Sequence, residues 1–302
     1  MAGAADDVAR AGEWLRDLET QYQPDLVHLN GYAHATLPWS VPVVVVAHSC
    51  VQTWWRAVHG APAPSEFRGY SRDLRRGLRA ATRVVAPTAA FLAQLRRAHG
   101  ELPHAEVIFN GRDAAGLAPG RKEPFFLSIG RLWDEAKNVR ALARIAPMLP
   151  WPVRLAGDPT SPDGLHVPLA NVDLLGRQTP EEVASWMARA AVYVSPARYE
   201  PFGLSILEAA LSGCALVLSD IATLREIWED AAIYVDSDDG AALARRLREL
   251  ARGSERRLRL GRAASERARR FTVSAMTRRY LELYQVLHDE ATGATATRAV
   301  SA

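Results

Sequence analysis

The sequence predicts an α/β protein with parallel sheets, because apolar segments of strand length alternate with segments of helical periodicity along most of the chain. The stretch Val192–Asp220 shows this pattern most clearly. Its segments Val192–Ser195 and Ala215–Leu218 have strand length, and leucines at helical spacing lie between them. Gly213 is placed to end that helix. A strand, a helix and a second parallel strand form the unit from which open α/β sheets are built.

The first third of the chain predicts about four strands with helices between them. Residues 43–47 are continuously apolar, as expected of a strand that is buried on both faces. Residues 50–65 contain Trp54, Trp55 and several turn-forming residues, and they predict a loop. The predicted strands are Leu26–Leu29, Val43–Ala47, Val84–Ala86 and Glu106–Phe109, and the predicted helices are Asp7–Tyr22, Tyr32–Trp39, Glu66–Arg83 and Thr88–His99.

A stretch rich in Gly, Ala and Pro over residues 113–122 indicates a domain boundary. Six further strands are predicted after it. Thr179, Pro180 and Glu182 are placed as a helix cap, a first-turn proline and the returning carboxylate of a capping box. The predicted strands are Phe125–Ile129, Val153–Ala156, Val172–Leu175, Val192–Ser195, Ala215–Leu218 and Ile233–Val235, and the predicted helices are Asn138–Met148, one that starts after Thr179, one after Gly203, Thr223–Trp228, two arginine-rich helices within 238–271 and Thr272–Glu290.

The composition is that of an ordinary globular protein, with 302 residues, 48% hydrophobic and 24% charged, which is enough for two domains. The formal charge of +3 is too small to indicate a nucleic-acid partner. Cys50 and Cys214 are too few for a disulfide framework or a metal site. The first residues lack the pattern of a signal peptide, and no apolar segment has membrane length, so a cytoplasmic location is expected.

The loop before the helix of the Val192–Asp220 stretch predicts a ligand site, because the carboxyl ends of parallel strands are where open sheets bind ligands. The first amides of a helix also favour an anion such as phosphate. Glu200 and Glu208 flank this position. A carboxylate beside a phosphate site suggests that it holds the hydroxyl groups of a sugar or a ribose. The alternative is that Glu200 is an exposed loop residue and Glu208 lies on a solvated helix face.

The chain contains five characteristic blocks: VIFNGRD (Val107–Asp113), SIGRLWDEAKNV (Ser128–Val139), NVDLLGR (Asn171–Arg177), EPFGLSILEA (Glu200–Ala209) and SDIATLREIWEDAAIYVD (Ser219–Asp236). Together, and with a pair of glutamates separated by seven residues, they resemble the retaining glycosyltransferases of family 4, which have the GT-B fold. The resemblance extends over roughly residues 25 to 290. It implies two Rossmann-like parallel-sheet domains that face a cleft.

The resemblance implies transfer of a sugar from a nucleotide-diphosphate sugar to a hydroxyl acceptor with retention of the anomeric configuration. The departing diphosphate carries negative charge, and no acidic cluster suited to a metal ion is evident in the sequence. Arg131 and Lys137 are expected to stabilise this charge instead, together with the helix start at Gly203 and Leu204. The alternative for both cations is solvent-exposed loop charge. No cofactor is expected besides the donor substrate.

The resemblance also implies roles for the remaining candidate residues. Glu208 is expected to hold the ribose, Glu200 to contact the donor sugar and Arg177 to lie near the base. Phe202 belongs to the donor-binding loop with Gly203 and Leu204. His48 follows a buried strand and is expected to contact the transferred sugar, although a histidine at a strand end is often structural.

The implied domains are a partial acceptor domain (1–115), a nucleotide-sugar domain (116–271), a helix that packs back on the first domain (272–290) and a disordered tail (291–302). Only one helix precedes the block PDLVHLNG, where the family has further strand and helix units and a Gly-rich loop, so the first domain is expected to be incomplete. A nucleotide-sugar-binding remnant without activity therefore stays open. A GT-B epimerase fits the glutamate pair less well, and no G-x-G-x-x-G motif indicates a dehydrogenase.

The acceptor is expected to be a glycan, a lipid-linked molecule or a small molecule. Residues 66–83 combine an apolar stripe with six arginines. A solvated amphipathic helix is one interpretation. The other is a surface for anionic lipid, which would place the protein peripherally on the inner face of the cell membrane.

Overall fold

The computed structural model describes residues 2–293 and divides them into two compact units. The first unit comprises residues 2–56, 60–109 and 276–293, and the second comprises residues 57–59 and 110–275. The division thus falls slightly before the boundary expected at residue 115. Most of the expected disordered tail, residues 294–302, lies outside the described residues, and residues 291 and 292 belong to the last helix.

The first unit is built on a four-stranded parallel sheet with the strand order β1-β2-β3-β4. The strands and helices are numbered in chain order, and short 3₁₀ turns cover Ala33–Thr36 and Ser65–Phe67. The elements are α1 (Ala2–Tyr22), β1 (Val27–Leu29), β2 (Val43–Val46), α2 (Val51–His59), α3 (Arg68–Ala80), β3 (Arg83–Ala86), α4 (Ala89–His99) and β4 (Ala105–Val107).

The predicted loop over residues 50–65 is wrong for its first part, which forms α2. The helix ends at Gly60, whose φ of 67° is left-handed and whose amide donates to Arg56 O. The turn-forming residues that suggested a loop therefore lie at the end of the helix and beyond it.

The predicted helix over residues 32–39 is also wrong, because only a 3₁₀ turn over Ala33–Thr36 forms. Leu37 is extended, as expected for the residue before Pro38. The predicted helix over residues 66–83 contracts to α3, since Arg83 begins the next strand.

The second unit contains a six-stranded parallel sheet with the strand order β10-β9-β8-β5-β6-β7. Its 3₁₀ turns cover Glu135–Lys137, Ala146–Met148 and Glu229–Ala231. The elements are β5 (Glu123–Ile129), α5 (Val139–Ile145), β6 (Val153–Ala156), β7 (Asp173–Gly176), α6 (Pro180–Arg189), β8 (Ala190–Ser195), α7 (Leu204–Leu211), β9 (Ala215–Ser219), α8 (Ala222–Trp228), β10 (Ile233–Val235), α9 (Gly240–Arg252) and α10 (Ser254–Ala268).

The order of this sheet reverses between β5 and β8. The chain runs outward from β5 to β6 and β7, then returns to β8 and runs outward on the other side to β9 and β10. Open parallel sheets bind ligands at such a switch point, beyond the carboxyl ends of the strands. The capping box predicted at Thr179 is present, because its hydroxyl accepts from the Glu182 amide and the Glu182 carboxylate accepts from the Thr179 amide.

The last helix, α11 (Val273–Thr292), enters the first unit at Met276. Leu283 and Leu287 are buried with strand residues Val44 and Val85 in the core of that unit. The helix thus covers one face of the first sheet with its apolar stripe.

Both units are α/β with parallel sheets, so the predicted fold class is confirmed, including a first sheet with fewer strands than the second. Among residues 2–293, no helix is both long enough and apolar enough to cross a lipid bilayer.

Candidate functional site

Two loops meet at the switch point of the second sheet, and hydrogen bonds hold them together. The loop after β5 contains Ala136, whose carbonyl accepts from the Arg198 amide at 2.8 Å. Asn138 ends the same loop in a left-handed conformation and donates from its side chain to the Pro196 carbonyl at 3.1 Å. The loops that follow β5 and β8 therefore form one surface at the carboxyl edge of the sheet.

The loop after β8 ends at Gly203, which starts α7 with a φ of 91°. A side chain at this position would be strained, since a Cβ would lie 2.8 Å from Ile206 Cδ1. The carbonyl of Gly203 accepts from the amides of Ile206 and Leu207, and no side chain of the described residues caps the helix. The positive end of the helix dipole is thus open to an anion, as expected.

Lys137 and Glu200 form an ion pair beside this helix start. Lys137 Nζ lies 2.6 Å from Glu200 Oε2, and the side chains are 22% and 12% exposed. The Lys137 side chain passes close to Gly130, and the Glu200 Cγ lies next to Gly203. The main-chain carbonyl of Glu200 accepts from Thr223 Oγ1 at 2.7 Å, which fixes the loop. The structure therefore places both predicted residues at the predicted position.

Arg131 is held differently. Its Nη2 donates to Asp134 Oδ2 at 2.8 Å, and its guanidinium stands 5.5 Å from the centre of the Trp133 ring. Asp134 is buried and also accepts from the Ala136 amide, so it is a fixed anchor for the arginine. The Arg131 side chain is 65% exposed. Arg131 and Lys137 thus have different carboxylate partners, although both residues belong to the loop after β5.

Arg131 and Arg177 line the same cavity at the carboxyl ends of β5, β6 and β7. Its volume is about 490 Å³, which suits a small-molecule ligand. Gly157 lets two loops approach here, because a Cβ on it would lie 1.8 Å from the Gly130 carbonyl oxygen. Gln178, another lining residue, accepts from Trp186 Nε1 at 2.9 Å and donates to the Leu175 carbonyl.

Glu208 lies in the second turn of α7 and pairs with Arg112, whose Nε is 2.8 Å from Glu208 Oε1. Burial raises the pKa of Glu208, and the neighbouring guanidinium acts in the opposite direction. Arg112 has no predicted role, although it stands in the VIFNGRD block. Its contact joins residues far apart in the chain, so no local pattern could have indicated it.

Three further residues lie at the start of α7 or beneath it. Tyr193 is buried beneath it, with its hydroxyl 2.9 Å from Ser205 Oγ and 3.3 Å from the Ile129 carbonyl, and burial raises its pKa. Leu204 is 45% exposed at the helix start. Phe202 is only 3% exposed and packs edge-on against Phe271, so its side chain belongs to the core and only its backbone is available to a donor.

His48 lies at the carboxyl end of β2 in the first unit. Its Nε2 is 2.8 Å from Asn30 Oδ1, and burial lowers the pKa of His48. His28, in the adjacent strand, contacts Tyr284 OH of α11 through Nδ1. Burial also lowers the pKa of His28, His48 acts in the same direction and a hydrogen bond to the Asn30 side chain opposes it. The lowered pKa of His48 favours the neutral imidazole, and the hydrogen bond with Asn30 orients the ring.

A larger cavity, of about 620 Å³, lies elsewhere in the second unit. Lys122, Ala191 and Gly213 line it, and these residues adjoin the amino ends of β5, β8 and β9. This is the edge of the sheet opposite the switch point, so size alone does not identify the candidate site. Residues 2–293 contain no group of three or more His, Cys, Asp or Glu side chains arranged for a metal ion.

Comparison with known proteins finds two family models along the chain. Residues 123–252 match the model described as "Glycosyl transferases group 1", and residues 5–115 match "Glycosyltransferase Family 4". A glycogen synthase of Mycobacterium tuberculosis is 29% identical over 85% of this chain and 68% of its own length. A D-inositol 3-phosphate glycosyltransferase of Corynebacterium kroppenstedtii is 27% identical over 82% of this chain and 62% of its own.

Solved structures with the same fold include sucrose-phosphate synthase from Thermosynechococcus elongatus, with a TM-score of 0.81 at 20% identity over 93% of this chain and 78% of that one. Anabaena Alr3699/HepE in complex with UDP-glucose gives a TM-score of 0.74 at 20% identity, with 93% and 82% of the two chains covered.

Proposed function

The chain belongs to the glycosyltransferases that these two models describe, with the GT-B class of fold, and we propose that it transfers a sugar from a nucleoside-diphosphate sugar to a hydroxyl acceptor with retention and without a metal. The observation that carries this proposal is the Lys137–Glu200 pair at the uncapped start of α7. It puts a cation for phosphate and a carboxylate for sugar hydroxyls next to each other.

The diphosphate occupies the start of α7 in this proposal. The bond between the anomeric carbon and the diphosphate oxygen breaks with its electron pair on the diphosphate, while the acceptor oxygen forms the new bond and passes its proton to the departing diphosphate. Lys137 and the first amides of α7 stabilise the charge that develops, and Arg131 approaches from the neighbouring cavity. A preorganised donor at such a charge contributes roughly 2.7 to 4 kcal/mol, so these groups suffice without a metal ion.

The nucleoside extends from the diphosphate along the carboxyl edge of the sheet. Glu208 accepts hydrogen bonds from the ribose hydroxyls, and the base enters the cavity lined by Arg177. Because the solved HepE structure contains UDP-glucose, a uridine nucleotide is the first donor to test. Arg112 must share the Glu208 carboxylate with the ribose or release it when the nucleotide binds.

The sugar lies toward Glu200, whose carboxylate accepts from its hydroxyl groups. His48 is the contact proposed from the first unit. In its neutral form the His48 ring offers one donor and one acceptor nitrogen. If Nε2–H donates to Asn30 Oδ1, the free acceptor is Nδ1, so Asn30 acts as a positioning residue for His48.

The acceptor is a glycan, a lipid-linked molecule or a small molecule. Names of relatives support the first and third classes, since one is a glycogen synthase and another a D-inositol 3-phosphate glycosyltransferase.

Contact with a membrane surface is proposed for α3, whose buried residues Leu74 and Leu78 face the core while its arginines are exposed. Binding to vesicles that contain phosphatidylserine, lost with Arg76→Glu and Arg79→Glu, tests that contact.

A panel of nucleoside-diphosphate sugars tests the proposed activity. Each donor is titrated into the protein, then incubated with glycogen, inositol phosphate and water as acceptors, and proton NMR of the product gives the anomeric configuration. Transfer with retention, undiminished by EDTA, is the expected result. Binding of a donor without any turnover would favour the alternative of a nucleotide-sugar-binding remnant, and inversion would refute the proposed stereochemistry.

A further inference from the structure

The 620 Å³ cavity at the amino edge of the second sheet has the size of a ligand site and no part in the proposed transfer. One wall is formed by Pro119, Gly120 and Lys122, before β5. Another wall is α10, whose Gly261 packs so closely on the Gly213 main chain that a Cβ there would lie only 2.6 Å from the Gly213 carbonyl oxygen. The cavity is therefore a built feature of the domain, held open between a loop and a helix.

The face of α10 toward this cavity is cationic. Leu258, Gly261, Arg262 and Ser265 recur at the spacing of one helix face and line the cavity, and Arg269 just beyond the end of α10 lines it as well. Arg262 and Arg269 are exposed and form no ion pair with any residue of the described part of the chain. The apolar Leu258 is 54% exposed beside them. A stripe of small, apolar and unpaired basic residues differs from the apolar stripe by which a helix packs on a core.

The other two basic residues that line the cavity donate hydrogen bonds to main-chain carbonyls. Arg257 donates to the Ala251 carbonyl at 3.0 Å and stacks on Trp151, so it is already engaged. Lys122 is half-buried, and its Nζ donates to the carbonyls of Met187 and Ser212, at 3.1 and 2.6 Å.

No carboxylate is among the hydrogen-bonding partners of Lys122 in the described residues, so its charge is not neutralised. Glu266 is the only acidic residue that lines the cavity.

We propose that this cavity binds a small organic phosphate, with Arg262 and Arg269 holding the phosphate oxygens and Leu258 and Pro119 covering the organic part. A phosphate carries close to two negative charges, which matches two unpaired guanidinium groups, and arginine binds phosphate oxygens through paired hydrogen bonds. The ammonium group of Lys122 adds a third positive charge at one wall. The opposite edge of the sheet holds the proposed donor site, so the two ligands bind independently.

Amide NMR of the full chain tests the proposal, with glycerol 3-phosphate, inorganic phosphate and glycerol as probes. We expect saturable shifts of the Gly213 and Gly261 amides with both phosphates, tighter binding of glycerol 3-phosphate because of Leu258, and no binding of glycerol. Saturation with UDP leaves these shifts in place. Shifts confined to Gly203, or their loss when UDP is present, would show that the probes occupy the donor site instead and would overturn the proposal.

Variants of α10 separate a specific site from general attraction to a basic protein. Arg262→Ala and Arg269→Ala should each weaken glycerol 3-phosphate binding about tenfold or more, as expected for a lost hydrogen bond to a charged group. Arg259→Ala is the matched control, because Arg259 is exposed on the same helix and does not line the cavity. Glu266→Gln should strengthen binding. Equal losses in all three arginine variants, or none in any of them, would contradict the site.

Discussion

Lys137 Nζ lies 2.6 Å from Glu200 Oε2, and the two residues come from the loops that follow β5 and β8. The order of the sheet reverses between these strands, so the pair stands where an open parallel sheet binds its ligand. Gly203 starts α7 beside the pair. In the proposed reaction this ion pair offers a cation to the diphosphate and a carboxylate to the sugar, so it must open or be shared when the donor binds.

Loss of either cation should slow transfer. Lys137→Ala and Arg131→Ala are expected to lower kcat/KM by about two to three powers of ten, because each removes a preorganised positive group from the departing diphosphate. Steady-state kinetics with the best donor of the panel measures the effect. Arg140→Ala, a change of an exposed arginine nearby on α5, serves as the control.

Arg131→Ala should unfold at nearly the wild-type temperature. Arg131 is largely exposed, and an ion pair at the protein surface contributes little to stability. Turnover at the wild-type level in both variants would rule out the proposed phosphate contacts, whereas early unfolding would point to a structural role.

Glu208→Gln should remove recognition of the ribose. The wild-type protein is expected to bind UDP more tightly than 2′-deoxy-UDP, by about tenfold, because a hydrogen bond to a carboxylate is lost. In Glu208→Gln the two nucleotides should bind alike. Calorimetric titration of both nucleotides gives the comparison, and a preference for UDP that survives in the variant would refute the ribose role.

Nucleotide affinity should also depend on pH through Glu208. Burial raises the pKa of this carboxyl group, so it takes up its proton at a higher pH than an exposed glutamate does. Affinity for UDP should therefore fall as pH decreases through this raised pKa. Arg112 opposes the rise, so Arg112→Ala should move the fall to higher pH, and Glu208→Gln should abolish it. A pH profile that is identical in all three proteins would contradict this assignment.

Asn30→Asp should raise the pKa of His48 by about one or more, because a carboxylate replaces a neutral acceptor 2.8 Å from Nε2. Imidazole NMR follows the titration of His48 and of its neighbour His28. In the wild type, the nitrogen shifts should show a proton on Nε2. Asn171→Asp, an exposed change in the second unit, controls for added charge. An unchanged His48 titration in Asn30→Asp would show that Asn30 does not orient the ring.

The parts of the fold that were predictable from the sequence are those with strong local signals. The continuous apolar segment at β2, the glycine that starts α7 and the capping box at Thr179 each determine the local structure through nearby residues. The helix α2 was missed because Trp54 and Trp55 lie just before several turn-forming residues, which obscured its helical periodicity.

The parts of the site that could not be predicted depend on contacts between distant residues. Arg112 reaches Glu208 only once the chain has folded, and Arg131 donates to the buried Asp134 while Lys137 pairs with Glu200. Phe202 was assigned to the donor-binding loop from its neighbours in sequence, and only the folded structure shows that its side chain packs against Phe271 in the core. The local sequence pattern thus indicated where the candidate site lies, but it did not predict which way each side chain points.

The most direct test of the central claim compares the affinities of UDP and uridine in the wild type and in the double variant Arg131→Ala, Lys137→Ala. The difference isolates the contribution of the diphosphate. We predict that UDP binds the wild type at least about a hundredfold more tightly than uridine does, and that most of this advantage disappears in the double variant. An advantage of equal size in both proteins would contradict a diphosphate held at the start of α7 by these two side chains.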